Sequence, residues 1–582
     1  MVPARQPEAT WRRLADHLNF LYGAEGAGPL LDSLERRLGA HSLRPPPTAG
    51  PLGAGDAVLI TYADQLRGLD AVPLQVLRQF LAARVTGLIS GIHLLPFYPS
   101  SSDDGFSVID YRQVDPAFGS WQQVHALAED FRLMVDAVIN HVSARSEWFQ
   151  AFQRGDNPYA DFFLTMDPRT DLSGVIRPRD LPLLTEVDTS GGPRHLWTTF
   201  SADQFDLNFA NPQVLLEIMD LLLFYVGQGA QFIRLDAIAF LWKQARTTCL
   251  HLPQTHEVVR LMRTLLEIAA PWVMLITETN VPHAENLSYF GDGSNEAHLV
   301  YQFALPPLVL HCLTAGEASR LTRWAAELRL PGERVTFFNF LASHDGIGLP
   351  PVSGILEEAE LQRLLELAQA RGGGISYRRG PDGAASPYEL NINYLDALSP
   401  PGEMETDPSR AVARFLLAQA IMLSLQGLPG IYFHSLVGSR GDREGAEGSG
   451  RLRSINRQKL DRGALEAELA DRRSLRGRIF RGFTHLLKVR RSHPGFSPEA
   501  GQQVLDLGPG VFGLLRQDPR SSRRVLCVHE VAGRAAAWSL QATVGDVSRG
   551  FDLLRRGQVE LDGVHLTPYQ ARWIDLDPDG PA

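Results

Sequence analysis

The apolar stretch QFIRLDAIAF (residues 231–240) carries two charged side chains, Arg234 and Asp236. Seven further short apolar runs alternate with helical patterns, and they begin at Val58, Gly91, Arg132, Trp272, His298, Val335 and Gly427. Near-continuous runs rich in valine, isoleucine and leucine are typical of strands buried on both faces of a parallel sheet. Eight such strands alternating with helices over about 400 residues predict an α/β fold, a (β/α)8 TIM barrel with insertions.

The chain has 582 residues, so smaller satellites around one large catalytic domain are expected. We predict the barrel domain over residues 56–495. Polar intervals at about 143–215 and 346–410 are too long for simple loops, which predicts subdomains inserted after the third and seventh strands. Residues 1–55 indicate a helical extension and a flexible linker, and the short alternating runs of residues 496–582 indicate a small C-terminal β domain.

The composition argues against two classes of partner. No apolar stretch approaches the roughly 20 residues of a membrane helix, and the N-terminus lacks the apolar core of a signal peptide. A net charge of −10 without a basic cluster gives no electrostatic footprint for nucleic acid. We therefore expect a cytoplasmic protein that binds neither membranes nor nucleic acid.

The sequence leaves open whether it is a monomer or a homodimer, and whether its N-terminal helices pack on the barrel or form a dimer contact.

The cysteines give no support for redox chemistry. Cys249, Cys312 and Cys527 are odd in number, far apart and outside any metal-ligand spacing. Free thiols are therefore expected rather than a disulfide framework.

Acidic residues end several of the predicted strands. In a barrel of this kind the chemistry lies at the C-terminal ends of the strands, where the chain has Asp136, Asp236, Glu278 and Asp345. Arg234 and Asp236 share one strand face, so the guanidinium can keep this carboxylate ionised as a nucleophile. Glu278 follows the apolar run WVMLIT, so burial should raise its pKa and keep a proton available for a general acid.

One charged and one protonated carboxyl group is the division of labour in a retaining glycosidase. The third acid, Asp345, would then suit stabilisation of an oxocarbenium-like state or the binding of sugar hydroxyls. A single acid at a strand end is more often a helix cap or a solvated loop residue. Several acids that end different strands, two of them beside a histidine or arginine, predict an active site.

Four segments resemble the signature regions of the α-amylase superfamily (glycoside hydrolase family 13), in order and at workable spacing. They are DAVINH (136–141), IRLDAIAF (233–240), ITETN (276–280) and NFLASHD (339–345).

This resemblance implies that Asp236 is the nucleophile, Glu278 the acid/base and Asp345 the transition-state stabiliser. The sugar-binding residues that it implies are His141, Arg234 and His344. It also implies that no cofactor is required. We predict no calcium site, because the only support for one is Asn140, which could equally form a local hydrogen bond.

The loop SSDDGF (101–106) resembles the loop that closes the glucose subsite in the sucrose phosphorylase-like branch of this superfamily. The resemblance implies that Asp103 binds the sugar 4-hydroxyl and that Phe106 is an aromatic platform beneath the ring. Arg457, in RSINR, matches the arginine that pairs with this aspartate. Asp104 is interpreted as a turn residue before a glycine. Such a pocket would accept one terminal glucose and exclude long polymers.

The segment RPRDLPLL resembles the loop that offers an arginine to phosphate in sucrose phosphorylases, which implies that role for Arg179. Arginine suits a phosphate oxyanion through paired hydrogen bonds. Phe200 and Gln204, in TTFSADQ, match positions that line the sugar pocket. Where sucrose phosphorylases carry Tyr-Gln in a mobile loop, this chain has Tyr388 and Glu389, and the glutamate would repel an anion unless it is turned away or paired.

Over nearly the whole chain, the sequence instead resembles the glucosylglycerate phosphorylases of the same branch. The segments that carry this resemblance are the N-terminal extension, PYELNINYLDAL, LWTTFSADQFDLNF and YQFALPPLVLH. This implies reversible phosphorolysis of 2-O-α-D-glucosyl-D-glycerate to α-D-glucose 1-phosphate and D-glycerate, with anomeric retention, so the partners are a small sugar substrate and inorganic phosphate. Spare basic residues could hold the glycerate carboxylate; these are Arg177, Arg179, Arg378 and Arg379. The alternatives are sucrose phosphorylase activity, an α-glucoside hydrolase or transglucosidase, and a non-catalytic binding protein.

Overall fold

The computed structural model describes residues 8–69, 71–179, 181–379, 384–545 and 547–577. Among these, no helix combines the length and the apolar character needed to cross a membrane.

Eight parallel strands form a closed barrel in which each strand pairs with its two neighbours in chain order and the last pairs with the first. The strands are β1 (Val58–Thr61), β2 (Gly91–Leu94), β3 (Arg132–Ala137), β4 (Ala230–Leu235), β5 (Met274–Thr277), β6 (Leu299–Tyr301), β7 (Thr336–Asn339) and β8 (Leu428–Tyr432). Each coincides with one of the eight predicted runs, although β4 begins one residue before its run, and the strand residues are almost entirely buried. The prediction of a (β/α)8 barrel is confirmed.

One long helix precedes β1, and a long helix follows every barrel strand except β5. The short helix His283–Leu287 follows β5. The long helices are α1 (Glu8–Ala40), α2 (Pro73–Arg84), α3 (Trp121–Asp130), α4 (Pro212–Gly227), α5 (Pro253–Ala269), α6 (Leu305–Ala315), α7 (Pro408–Ser424) and α8 (Leu475–Arg491). Another helix, Ser319–Glu327, lies between α6 and β7.

The two polar intervals contain short elements of their own. After β3 the structure has His141–Ser143, Glu147–Arg154, Leu184–Thr189, Gly192–Trp197 and Gln204–Asp206. After β7 it has Ile347–Gly348, Glu358–Ala370, Gly374–Arg379, Ala385–Asn391, Tyr394–Leu398 and Glu403–Thr406. The strand Ala385–Asn391 lies between the other two strands of a three-stranded sheet. The predicted domain boundaries remain predictions, and the two terminal domains include residues outside the described ranges.

The N-terminal helix α1 packs against α4 and α5 on the outside of the barrel. It is interrupted at Gly23, whose φ of +76° is left-handed, so it is two helices as predicted. His17 lies 2.6 Å from the Glu257 carboxylate of α5, and the Tyr22 hydroxyl donates to the Phe209 carbonyl at 2.8 Å. The helices therefore pack on the chain's own barrel, which is one of the two arrangements that the sequence left open.

The C-terminal region has a six-stranded antiparallel sheet with a small two-stranded sheet beside it. In sheet order the six strands are Gly501–Asp506, Val511–Gln517, Arg524–Glu530, Ala571–Asp575, Arg549–Asp552 and Gly557–Glu560. The two-stranded sheet pairs Ala536–Trp538 with Val564–Leu566.

Two buried arginines lie where the C-terminal region meets the barrel. Arg490, in α8, donates to the carbonyls of Asp56, Leu423 and Phe496, among others, and Arg516 donates to those of Ser424 and Ser497, among others. Burial lowers the pKa of both guanidinium groups, to about 9 for Arg490 and about 10 for Arg516. Each charge is therefore held by backbone dipoles, and Arg516, which lies in the sheet, joins it to the end of α7 at Ser424.

Candidate active site

The register of β3, β4 and β5 brings the predicted charged residues together. Asp136 lies opposite Arg234, and Arg234 lies opposite Ile276, two residues before Glu278. Because side chains alternate along a strand, Arg234 and Asp236 point to the same side as Asp136.

Arg234 is the centre of this cluster and is almost fully buried. Its guanidinium forms an ion pair with Asp136 and lies 2.8 Å from Asp236 Oδ1 and 3.8 Å from Glu278 Oε2. Glu278 also accepts a hydrogen bond of 3.1 Å from the backbone N–H of Ala237. One cation thus touches three carboxylates from three neighbouring strands.

The ionisation of Asp236 differs from the prediction. Burial, together with the Glu278 and Asp136 carboxylates, raises the pKa of Asp236 to about 8, although Arg234 opposes the shift. Burial also raises the pKa of Glu278, as the sequence predicted. The prediction that Arg234 keeps Asp236 ionised is therefore wrong, because burial and carboxylate repulsion outweigh one guanidinium. The two carboxyls act as a coupled pair.

Asp345 lies in a different electrostatic environment. Its Oδ1 is 2.6 Å from Arg453 Nη1 and 3.4 Å from Arg457 Nη2, and its Oδ2 is 3.3 Å from His344 Nε2. Burial would raise the pKa of Asp345, but Arg453, His344 and Arg457 together hold it well below its usual range. Asp345 is therefore a permanent carboxylate.

The loop 101–106 is fixed from beneath by Asp203. The carboxylate accepts hydrogen bonds from the hydroxyls of Ser101 and Ser102, both at 2.5 Å, and of Ser107 at 2.8 Å. Gly105 has a φ of +112°, and a Cβ there would lie 2.4 Å from the Pro96 carbonyl oxygen. Only glycine fits this position, so the loop has a defined conformation.

The loop presents Phe106 to the cleft. Its ring stacks on His344 with centroids 4.9 Å apart and planes 7° apart. Its carbonyl accepts hydrogen bonds from His141 Nε2 at 3.0 Å and Gln204 Nε2 at 3.1 Å. Phe200 lies beside His141, with ring centroids 5.1 Å apart. Five predicted sugar-pocket residues thus form one continuous wall.

Arg457 pairs with both acids of the loop. Its Nη1 is 2.5 Å from Asp104 Oδ2 and 3.4 Å from Asp103 Oδ1. Asp104 lies in the turn before Gly105, as interpreted, and its carboxylate is in addition the nearer partner of the arginine. Asp103, the more distant partner, also lines the cleft.

These residues surround one cleft at the mouth of the barrel. Twelve of the fourteen predicted site residues line it: Asp103, Phe106, His141, Arg179, Phe200, Gln204, Asp236, Glu278, His344, Asp345, Tyr388 and Glu389. The other two, Arg234 and Arg457, are buried behind the wall and contact its carboxylates.

The four candidate acceptor arginines differ in position and in hydrogen-bond partners. Arg179 lines the cleft. Burial raises the pKa of the Tyr388 phenol, and the positive charge of Arg179 opposes this rise. Arg179 makes no ion pair with any residue that the structure describes. Arg177 instead donates to the Leu181 carbonyl, and Arg378 donates to the Ser386 hydroxyl. The side chain of the fourth candidate, Arg379, lies outside the described part of the structure.

Sequence reasoning missed four residues that shape the site. Arg453 contacts Asp345 and Glu389, His93 lies 2.7 Å from Asp136, Asp203 fixes the loop, and Lys243 lies beneath the cleft. Arg453 stands four residues before Arg457 in RLRSINR, which was the one available signal for it.

Lys243 satisfies the group that had suggested calcium. Its ammonium is 2.7 Å from Asn140 Oδ1 and 2.5 Å from Asp206 Oδ2, and it is almost fully buried. Asn140 also donates to Asp206 at 3.1 Å. Within the described ranges, no cluster of histidine, cysteine, aspartate and glutamate could hold a metal ion. Independence from metal remains a prediction.

Three comparisons relate the chain to known proteins. Residues 87–343 match the family model described as the α-amylase catalytic domain. A glucosylglycerate phosphorylase of Spirochaeta thermophila is 51% identical over 527 residues, which are 89% of each chain. One of Allomeiothermus silvanus is 49% identical, over 96% of this chain and 98% of that protein. The crystal structure of sucrose 6F-phosphate phosphorylase from Thermoanaerobacter thermosaccharolyticum has the same fold, with a TM-score of 0.73 and 22% identity over 88% of this chain and 99% of that one.

We expect Lys243→Met to lower the free energy of unfolding by about 3–5 kcal/mol, because it leaves the buried Asp206 carboxylate without its cation. Urea unfolding measures this loss. Lys488→Met, on the exposed face of α8, is the matched control and should change stability little. EDTA should leave activity and stability of the wild type unchanged. A wild-type loss on EDTA treatment, or an unchanged Lys243→Met variant, would contradict this interpretation.

Proposed function

Because the chain belongs to the glucosylglycerate phosphorylase family, we propose that it catalyses the reversible phosphorolysis of 2-O-α-D-glucosyl-D-glycerate to α-D-glucose 1-phosphate and D-glycerate. The observation that carries the proposal is the Arg179 guanidinium, which lines the same cleft as Asp236, Glu278 and Asp345 and has no carboxylate partner among the described residues. An unpaired cation beside glycosidase-like acids suits an anionic attacking group better than water.

In the first half-reaction, we assign Asp236 as the nucleophile that attacks C1 of the glucosyl group. Glu278 donates its proton to the departing glycerate oxygen, so the C1–O bond breaks as the C1–Oδ bond to Asp236 forms. Near neutral pH the pair shares one proton, and the reactive form carries it on Glu278 and leaves Asp236 ionised. Asp345, held ionised by Arg453, His344 and Arg457, opposes the positive charge that develops on the sugar.

In the second half-reaction, a phosphate oxygen held by Arg179 attacks C1 and displaces Asp236. Glu278 accepts the phosphate proton and returns to its starting state. Two inversions at C1 give the α anomer, so the reaction retains the configuration of the substrate. No step requires a cofactor.

The glucosyl group is assigned to the wall formed by the loop 101–106 and its neighbours. Phe106 would lie against the apolar face of the sugar, and Asp103 would accept from the 4-hydroxyl. The other proposed sugar-binding residues are His141, Phe200, Gln204, Arg234, His344 and Arg457. This closed end supports a substrate with one terminal glucose.

We place the reaction in the cytoplasm. The three cysteines are free and buried, which supports a reducing compartment, since disulfides prevail in oxidising ones.

A sucrose phosphorylase or an α-glucoside hydrolase would use the same acids, so the acceptor decides between these activities.

The proposal is tested by phosphate release from α-D-glucose 1-phosphate with D-glycerate, fructose, glycerol or no acceptor, in parallel with one enzyme preparation. We expect release to be fastest by far with glycerate, because its carboxylate can pair with Arg179. Preference for fructose would show a sucrose phosphorylase. Equal release in every reaction, with free glucose accumulating, would show that water is the acceptor and would contradict the proposal.

The pH dependence of phosphorolysis gives a second test. The raised pKa values of Asp236 and Glu278 let the pair hold one proton near neutral pH, and the pair loses this proton as the pH rises. We therefore expect kcat/KM for glucosylglycerate to fall on the alkaline side, where no proton is left on Glu278 for the departing glycerate, measured at saturating phosphate. A kcat/KM that stays constant as the pH rises from neutral to alkaline would contradict the assignment of this pair as the source of the proton.

A further inference from the structure

Glu389 is a buried carboxylate in the wall of the cleft. It lies in the strand Ala385–Asn391, opposite Ser376 on one side and Gly348 on the other. The residue is 2% exposed. Its two oxygens accept hydrogen bonds from Arg453, at 2.5 Å from Nη2 and at 3.0 Å from Nε. Two parallel bonds of this kind fix the plane of the guanidinium.

The remaining terminal nitrogen of Arg453 is directed to a different carboxylate. Nη1 lies 2.6 Å from Asp345 Oδ1. Arg453 therefore joins Glu389 to Asp345, and both of its donor edges are occupied. Arg457 is similarly engaged, by Asp104, Asp103 and Asp345. Neither arginine offers an unpaired positive charge to an incoming anion.

Arg179 differs from both. Among the described arginines that line the cleft, it is the one without a carboxylate partner. Arg179, Glu389 and Arg453 line the same cleft, and the charge of Arg179 opposes the rise in pKa of the buried Tyr388 phenol, the chain neighbour of Glu389. An anion bound at Arg179 is consequently close to the Glu389–Arg453 pair.

We propose that Glu389 neutralises Arg453 and so leaves the acceptor subsite with the single unpaired charge of Arg179, which allows a singly charged carboxylate to compete with phosphate. This inference rests on the proposed function and adds Arg453 to its specificity-determining residues. Glu389 acts through Arg453 and is a positioning residue. Its carboxylate does not repel the acceptor, because it is paired.

This effect on acceptor choice follows from Coulomb's law, because the attraction between two opposite charges grows with the product of those charges. At slightly alkaline pH, inorganic phosphate carries close to two negative charges and glycerate carries one. A second unpaired cation in the subsite would therefore attract phosphate more strongly than glycerate. With Glu389 in place, this advantage of phosphate is kept small.

The test compares KM for glycerate in synthesis with KM for phosphate in phosphorolysis. In Glu389→Gln we expect the ratio of KM for glycerate to KM for phosphate to rise about tenfold, since Arg453 gains an unbalanced charge. The alkaline limb of the pH profile should also move to lower pH, because the charge of Arg453 lowers the pKa of Glu278. A purely structural role would change neither quantity in this direction.

Three further variants separate charge from shape. Arg453→Gln leaves Glu389 unpaired, so the KM ratio should fall, the opposite of Glu389→Gln, whereas kcat should fall because Asp345 loses a partner. Glu389→Asp keeps the charge and should restore the wild-type ratio. Glu447→Gln, an exposed glutamate on a neighbouring helix, is the matched control. Thermal unfolding of each variant identifies those that fold.

An unchanged ratio in a folded Glu389→Gln variant would overturn the inference, as would equal shifts in Glu389→Gln and Glu389→Asp. If Glu389→Gln does not fold, a rise or no change of the ratio in Arg453→Gln would overturn it. The wild-type reaction tests the proposed function separately. An enzyme that does not use glycerate at all would contradict that function, whereas an enzyme that uses it with ratios insensitive to Glu389 would contradict only the role of the pair.

Discussion

The guanidinium of Arg234, almost fully buried at the mouth of the barrel, is the constraint on which the site depends. A buried cation is stable only if it is paired, and here Asp136, Asp236 and Glu278 supply the negative charge from three successive strands. The same pairing fixes the two carboxyls proposed for chemistry at adjacent strand ends. The parallel register of β3, β4 and β5 provides the geometry without help from loops.

Around this centre, most other charges cancel. Arg453 is shared between Asp345 and Glu389, and Arg457 is shared among Asp345 and the two loop acids. Lys243 performs the same task below the cleft, where it binds Asn140 and Asp206. The cation left without a carboxylate among the described lining residues is Arg179, and this asymmetry is what gives the proposed phosphorylase a place for an anionic acceptor.

The barrel strands and their terminal acids were predictable because both signals are local: an apolar run and the polar residue that ends it. Arg453, Asp203 and Lys243 escaped prediction because each contacts a partner far along the chain. Arg453 is 64 residues from Glu389, and Lys243 is 103 residues from Asn140. Asp236 was mispredicted for a related reason. Its pKa is a sum over burial and several charges, and sequence adjacency revealed only Arg234.

The central claim is a covalent glucosyl-enzyme on Asp236 that an anion can attack. Isotope exchange between labelled inorganic phosphate and α-D-glucose 1-phosphate, with no glycerate present, measures it directly. The account predicts that the wild type incorporates label into the α anomer and that Asp236→Asn, although folded, does not. Exchange that requires glycerate, or that persists in Asp236→Asn, would contradict the account.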